Sequence, residues 1–524
     1  MTGRPSTSSL MNALIAATLF LLICPQAQPA ALPKATVTSQ EQAIQPQYGG
    51  VFKRILPFSP KNFGYPPEMA PTNDWGCATP AVQTLMSPLV EKGAPKPLLA
   101  SAWKYSPDYK SLTITLRKGV KFHDGTDFNA EAVKFNLEET RKTMVELRSI
   151  TSIDTLDEHA VRLNLSQFKN ALITNLSGPL GAMVSPTAIK KNGKEWARNH
   201  PVGTGPFRFV SYQRDVSLKY EKFDGYWDKG KPYLDGVEFI FISDPTVARM
   251  SFERGDAHAI TVGARDAREL ASKGYKVSSY RISGYALGGD SANPNSIFAN
   301  KKVREAIEYA IDKEAIVKAL GYGFWEPMYQ LCPANWEGYN PAVKARKYDP
   351  AKARQLLAEA GYPKGFKTRM IAQVGGIDSE AWVAMQRYLK EIGIEAELDM
   401  AEWSRWDATI FEGWKNAINQ VSLGAFRPYT MTIERCLSST TRQNPSIRKP
   451  QGWDDLLSRA LAATDDTASI RLTQELMKMA HDEVMVIPIF LLPRNTAKQT
   501  NVQNDNLTRY DSQHWTPADT WLSK

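Results

Sequence analysis

From Tyr348 to Trp403 the sequence spells helix, strand, helix and strand in turn, and that order limits the fold more than any other stretch. "YDPAKARQLLAEAGYP" opens with Asp349 as an N-cap and Pro350 as the first helical residue, and Gly361 and Pro363 close it. "KTRMIAQVGG" and "EIGIEAELDMAEW" then carry strand patterns on either side of a helix expected at about residues 379–391. Strands joined through a helix form a parallel pair, so an α/β sheet is expected here. The mixture continues on both sides. "KKVREAIEYAIDKEAIVKALGYG" places Val303, Ala306, Ile307, Ala310 and Ile311 at helical spacing, with Gly321 where a C-terminal cap falls. "SIRLTQELMKMAHDE" reads as a helix running into the buried strand "VMVIPIFLLP", where Pro488 removes a ladder donor and predicts an edge or a bend. No repeat of 20 to 50 residues is visible, which excludes solenoids and propellers.

Nearer the N-terminus, "LRKGVKFHDGTDFNAEAVKFNLE" (116–138) is a strand, a turn and a helix. Leu112, Ile114 and Leu116 alternate with polar residues, the period of a strand with one buried face. His123-Asp124-Gly125-Thr126 is a turn in which a solvated His123 is expected. Asn129 suits an N-cap, Glu131 lies near the positive end of the helix dipole, and Phe128 and Val133 have the spacing of a hydrophobic staple.

Arg4 precedes "LMNALIAATLFLLIC" (10–24), an apolar run of signal-peptide length that is too short for a comfortable membrane span. Residues 1–31 are expected to be a secretory signal. Plain cleavage is favoured over lipid attachment at Cys24, because Ile23 stands where lipoprotein signals favour a small residue. Export permits disulfides, and Cys77, Cys332 and Cys436 leave room for one bridge and one thiol. The net charge of +9 is spread along the chain with no basic tract or zinc-finger signature, so nucleic acid is not an expected partner.

Catalytic constellations are missing. The sequence has no G-x-S-x-G, H-E-x-x-H or G-x-x-x-x-G-K-[ST] motif, and "GTGPF" (203–207) fits a turn. The six histidines are scattered without metal-ligand spacing, and Asp454-Asp455 and Asp465-Asp466 read as charges at helix starts. No catalytic residue, metal or cofactor is expected. A secreted hydrolase remains the rival reading from another class.

Four blocks in order carry a resemblance: "WKYSPDYKSLTITLRKGVKFHDGTDFNAEAVKFNLEE", residues 200–259 from "HPVGTGPFRF" to "ERGDAHA", "NPNSIFANKKVREAIEYAIDKEAIVKALGYG", and "YDPAKARQLLAEAGYPKGF". Together they resemble the family 5 extracellular solute-binding proteins of bacterial ABC importers. The resemblance implies a monomeric, periplasmic, two-lobed Venus-flytrap clamp of α/β class that delivers a solute to ABC permease subunits. A binding protein that feeds a sensor is a third reading. Lobe I would span 47–285, with an extra α/β subdomain at 77–204, and be rejoined by 490–524. Lobe II would span 286–489. The chain would cross twice, near "SGYALGGDS" and "IPIFLLPRN", two strands that suit a hinge. Cys332 and Cys436 share lobe II on this map, so the resemblance pairs them as the disulfide.

A solute cleft needs aromatic walls and a few placed polar groups. Trp75, Tyr285, Trp325, Trp403, Trp406 and Arg427 are the candidates, each weighed against plain packing or, for Arg427, a surface salt bridge. Trp403, Trp406 and Trp414 have spacings compatible with one helix face, Trp325 lies in a turn-rich loop, and Tyr285 lies at the first crossing. In "VSLGAFRPYTMTIERC" (421–436) peptide-binding relatives carry an Asp that pairs with the peptide's α-amino group. This chain has no carboxylate there until Glu434, and Arg427 lies about where the acid is expected. A cation cannot pair with an ammonium group, so a non-peptide or modified-peptide solute ranks above a free peptide.

Overall fold

Two long strands, Lys276–Gly289 and Ile487–Lys498, run antiparallel to each other and organise the main sheet of the computed structural model. The structure describes residues 45–69, 73–91, 94–374, 379–424, 426–505, 507, 515 and 517–524. The expected signal segment and Cys24 lie outside them.

At one end Asn495–Lys498 pair with Ala259–Val262, and at the other Ser283–Gly289 pair with Ala417–Gly424. From the first junction the sheet continues through Val51–Leu56, Gly236–Phe241, Ser217–Lys222 and Phe207–Gln213. From the second it continues through Phe366–Gln373 and Ile394–Ala401. With the short strand Glu326–Pro327 this makes eleven strands among the described residues. Each half has parallel pairs at its centre: Val51–Leu56 with both Gly236–Phe241 and Ala259–Val262, and Phe366–Gln373 with both Ile394–Ala401 and Ala417–Gly424.

Parallel sheets are stable when both faces are covered, and both are covered here. In Phe366–Gln373, Met370 and Ala372 enter a core with Trp382 and Leu389 of the helix Ser379–Glu391, whereas Ile371 enters another with Trp406 and Trp453. In the other half Phe52 and Leu56 pack with Trp75 and Phe239, and Ile55 packs with Phe252 and Leu270. The helix start at Asp349 is as expected: its carboxylate accepts the Lys352 amide at 2.8 Å and Pro350 is the first helical residue. The run from Lys301 is two helices, because Asp312 accepts the Ala315 amide and starts a second one, Lys313–Leu320. Pro488 does not mark an edge. It lies in an interior strand opposite Ala286, beside a slip in register after Tyr285, so the missing donor is accommodated by a bulge.

A separate antiparallel sheet of Ala100–Tyr105, Ser111–Leu116, Ala160–Leu165 and Ile150–Asp157 carries the helix Ala130–Arg141. Leu112, Ile114, Phe128 and Val133 are all in its core, and Asn129 accepts the Ala132 amide at 3.0 Å. One detail differs from expectation. His123 is not solvated: its Nε2 lies 3.0 Å from the Gly205 carbonyl, its amide donates to the Gly203 carbonyl, and its ring meets Phe223 edge-on at 4.8 Å. The turn is folded onto "GTGPF", and burial lowers the His123 pKa from 6.5 to about 4.

A depressed histidine pKa means the unfolded chain binds the proton first, so His123 costs stability as pH falls from about 6.5 to about 4. His123→Gln keeps an amide donor in reach of Gly205. Its stability, measured by urea unfolding, is expected to fall less than that of wild type over this window, with the gap absent above pH 7.5.

Candidate ligand-binding cleft

The crossing strands bring an aromatic group to the junction of the two halves. Tyr285 and Phe490 are cross-strand partners with ring centroids 6.0 Å apart, and Trp325 stacks on Phe490 at 4.7 Å and 27°. Trp325, in a turn-rich segment that allows an exposed or a cleft-facing ring, is mostly buried: Phe490 offers it a flat apolar face and it is 7% exposed. Tyr285 is half-buried. Its hydroxyl shares a hydrogen bond with the Ser422 side chain, and burial, against the attraction of Arg494, raises its pKa.

Trp75 lies on the short helix Asn73–Ala78, buried in the core with Phe63 and Phe207. Its neighbour Asp74 accepts the Lys61 amide at 2.9 Å. Across the junction, the helix Trp403–Glu412 presents Trp403, 46% exposed, with its ring 5.5 Å from buried Trp406. The three-tryptophan face ends early: Gly413, at φ +87°, closes the helix, and Trp414 packs beyond it. Asp407 on this helix is half-buried, and burial raises its pKa while the Lys61 ammonium opposes the shift. Lys61 lies in the loop that follows Val51–Leu56, within electrostatic reach of Asp407.

Arg427 reaches Glu337 at 3.4 Å and lies 4.5 Å above the Trp336 ring. The side chain is 42% exposed, so the pair resembles a surface ion pair with a stacked guanidinium. Glu434, the only acid over 421–436, is not available either. It is buried against Lys169, whose ammonium donates to Oε1, and burial raises the carboxyl pKa against the pull of Lys169. The pair borders a cavity of about 230 Å³ that Arg148, Ser149, Gln167, Thr440 and Asp454 also line. Nearby, Asn170 ties the small antiparallel unit to the second half through the Ala460 carbonyl and Ser469 Oγ, both at 2.9 Å.

Cys332 and Cys436 are in one core, but as buried free thiols rather than the disulfide the resemblance implies. Both lie near Tyr429, whose ring packs in the same core, and burial holds both thiols protonated, Cys436 at about 11. Cys77 is a third buried thiol. Among the described residues no three His, Cys, Asp or Glu side chains gather as a metal site.

Sequence reasoning missed Arg54, Arg494, Asp407 and Lys169. Arg54 left a signal: it shares a strand face with Phe52 and Leu56, so a cation occupies the buried register of a strand. Lys169 left none, because its partner is 265 residues away.

Comparison with known proteins fits this geometry. Residues 94–440 match the model of bacterial extracellular solute-binding proteins, family 5 Middle. The glutathione-binding protein GsiB of Shigella flexneri is 30% identical over 445 residues, covering 82% of this chain and 85% of that one. The glutathione-binding protein GsiB of Salmonella choleraesuis is 31% identical over 448 residues, with the same coverage of 82% and 85%. The binding protein AgaA of A. tumefaciens R10, solved with agropinic acid, superposes with a TM-score of 0.80 at 27% identity, over 91% of this chain and 99% of that one. A dipeptide-binding protein of Pseudoalteromonas sp. SM9913, solved with Met-Leu, has a TM-score of 0.81 at 23% identity and covers 91% and 100%.

Breaking the Lys169–Glu434 pair strands a buried charge. Glu434→Leu is expected to cost about 3–5 kcal/mol in urea unfolding, and adding Lys169→Met to it should restore most of the loss. Additive losses in the double variant would contradict the pairing.

Proposed function

The chain belongs to the bacterial extracellular solute-binding proteins, family 5, and acts as the solute-binding component of an ABC importer; from that premise we propose that its solute is a small carboxylic acid of peptide-like or amino-acid-conjugate type. Proteins of this family are periplasmic, and among the described residues no helix is long and apolar enough to cross a membrane. The relatives are solute-binding proteins, not enzymes. Residues 1–31 are read as the export signal and the mature protein as a monomer. Lobe I is taken as 47–285 with 490–524, its subdomain as 77–204, and lobe II as 286–489. The two crossing strands support that division.

One observation carries the choice of solute: Glu434, the acid of the 421–436 segment, is locked against Lys169, while Arg427 stands half-exposed over Trp336 in a surface pair with Glu337 that a solute carboxylate could replace. A peptide's ammonium finds no carboxylate in that segment, whereas an arginine can form a bidentate pair with a solute carboxylate. The named ligands of two relatives, glutathione and agropinic acid, are both acids. Tyr285, packed on buried Phe490 and Trp325, is the aromatic group offered where the lobes meet, and Trp403 is an exposed ring on lobe II. Trp75 and Trp406 are packing that holds their helices. The solute favours the closed clamp only through contacts made better in that state.

A thermal-shift series on the mature protein tests this, with glutathione, agropinic acid, an N-blocked dipeptide, Met-Leu and an oligosaccharide. An acid at 100 times its Kd should add about 2.7 kcal/mol of stability, with Met-Leu silent. Stabilisation by Met-Leu but by neither acid would return the chain to ordinary peptide binding.

A further inference from the structure

We propose that Arg54 and Arg494 form a carboxylate-binding site at the root of the cleft, on the lobe I face of the sheet beside the hinge. The inference rests on the acid-solute reading above and deepens it by naming the groups that hold the acid.

Arg54 is 7% exposed, and its Nε has no hydrogen-bond partner among the described residues. Its one hydrogen bond there is a long one, from Nη2 to Thr261 Oγ1 at 3.4 Å. Among the described residues no carboxylate pairs with it: Asp505, the acid that acts on it, is held by Lys498 Nζ at 2.7 Å. Arg494 is half-buried and likewise makes no ion pair among the described residues. Arg54 has this second guanidinium within electrostatic reach, and burial, with Arg494 adding to it and Tyr280 and Asp505 opposing, holds its pKa below the ordinary value.

The register explains how these groups meet. Arg54 pairs with Ala259, and Thr261 lies two residues further along the same strand face. Thr261 stands opposite Thr496, Thr496 opposite Ser278, and Tyr280 opposite Arg494. Side chains two residues apart on a strand share a face, so the six form one polar strip across four strands. The Ser278 and Thr496 hydroxyls are buried without a partner among the described residues, as Arg54 Nε is. At its hinge end the strip meets Tyr285, which the Arg494 charge reaches.

An unpaired buried guanidinium beside a second one costs stability. A carboxylate would relieve it, because it accepts several N–H and O–H donors at once and offsets the like-charge repulsion. Among the described residues the strip has donors to spare and no acceptor of that charge. A carboxylate supplied by the solute is what it lacks.

The test uses the mature wild-type protein, Arg54→Met and Arg494→Gln. Each is titrated with glutathione, agropinic acid, succinate and the neutral diamide of succinate, at matched ionic strength. The expected result is stabilisation of wild type by succinate and not by the diamide. Affinity for the solute acid and for succinate should fall roughly 10- to 100-fold in both variants. Ligand-free Arg54→Met should melt no lower than wild type, because the change removes an unpaired cation. If that variant does not fold, Arg494→Gln, at a half-buried position, carries the same comparison.

Succinate and its diamide acting alike on wild type would overturn the site. Unchanged acid affinity in Arg494→Gln, or a lower ligand-free Tm in Arg54→Met with an intact succinate shift, would also overturn it and leave the acid-solute reading standing. Silence of both solute acids, with succinate still bound through Arg54, would keep the site and reject that reading.

Discussion

The pairing of two crossing strands is the constraint on which the rest of this structure depends. Lys276–Gly289 and Ile487–Lys498 pair along their lengths and are interior to the sheet, so neither lobe ends in an open edge at the junction. Their ladder slips twice, between Arg281 and Ser283 and between Tyr285 and Ala286. Each slip leaves an unpaired residue and adds local twist, which places the softest part of the sheet where the lobes must move relative to each other.

Function follows from what the same strands carry. Tyr285, half-buried at the hinge, packs on fully buried Phe490, and Arg494 and Tyr280 begin the polar strip that runs back to Arg54. A solute with an apolar body and a carboxylate would touch both strands and thus both lobes. The opposite arrangement holds at the Lys169–Glu434 contact, where charge is matched inside the protein and no solute is needed. Matched and unmatched charge thereby separate a structural tie from a binding surface. The distinction rests on buried cations being costly unless paired.

Local elements were legible in the sequence because their causes are local. Asp349-Pro350, Asn129 and the alternation from Leu112 to Leu116 each act within a few residues, and each is where the sequence places it. Features decided by distant partners were not legible. His123 seemed a solvated turn residue because nothing nearby in sequence reveals that residues 203–205 fold over it. The packing of Trp325 was not legible because Phe490 lies far along the chain, and Trp414 seemed to share a helix that Gly413 ends. The disulfide inferred for Cys332 and Cys436 had the right neighbourhood, since both thiols enter one core, and the wrong chemistry. Arg54 was readable and overlooked: a cation between Phe52 and Leu56 breaks the alternation of a buried strand face.

An acid solute is expected to close the clamp about this hinge. Small-angle X-ray scattering of the mature protein, alone and saturated with the acid that stabilises it most, reads that closure. A smaller radius of gyration is expected with the acid, and none of that change with its neutral amide. An unchanged radius of gyration with the acid demonstrably bound would contradict it.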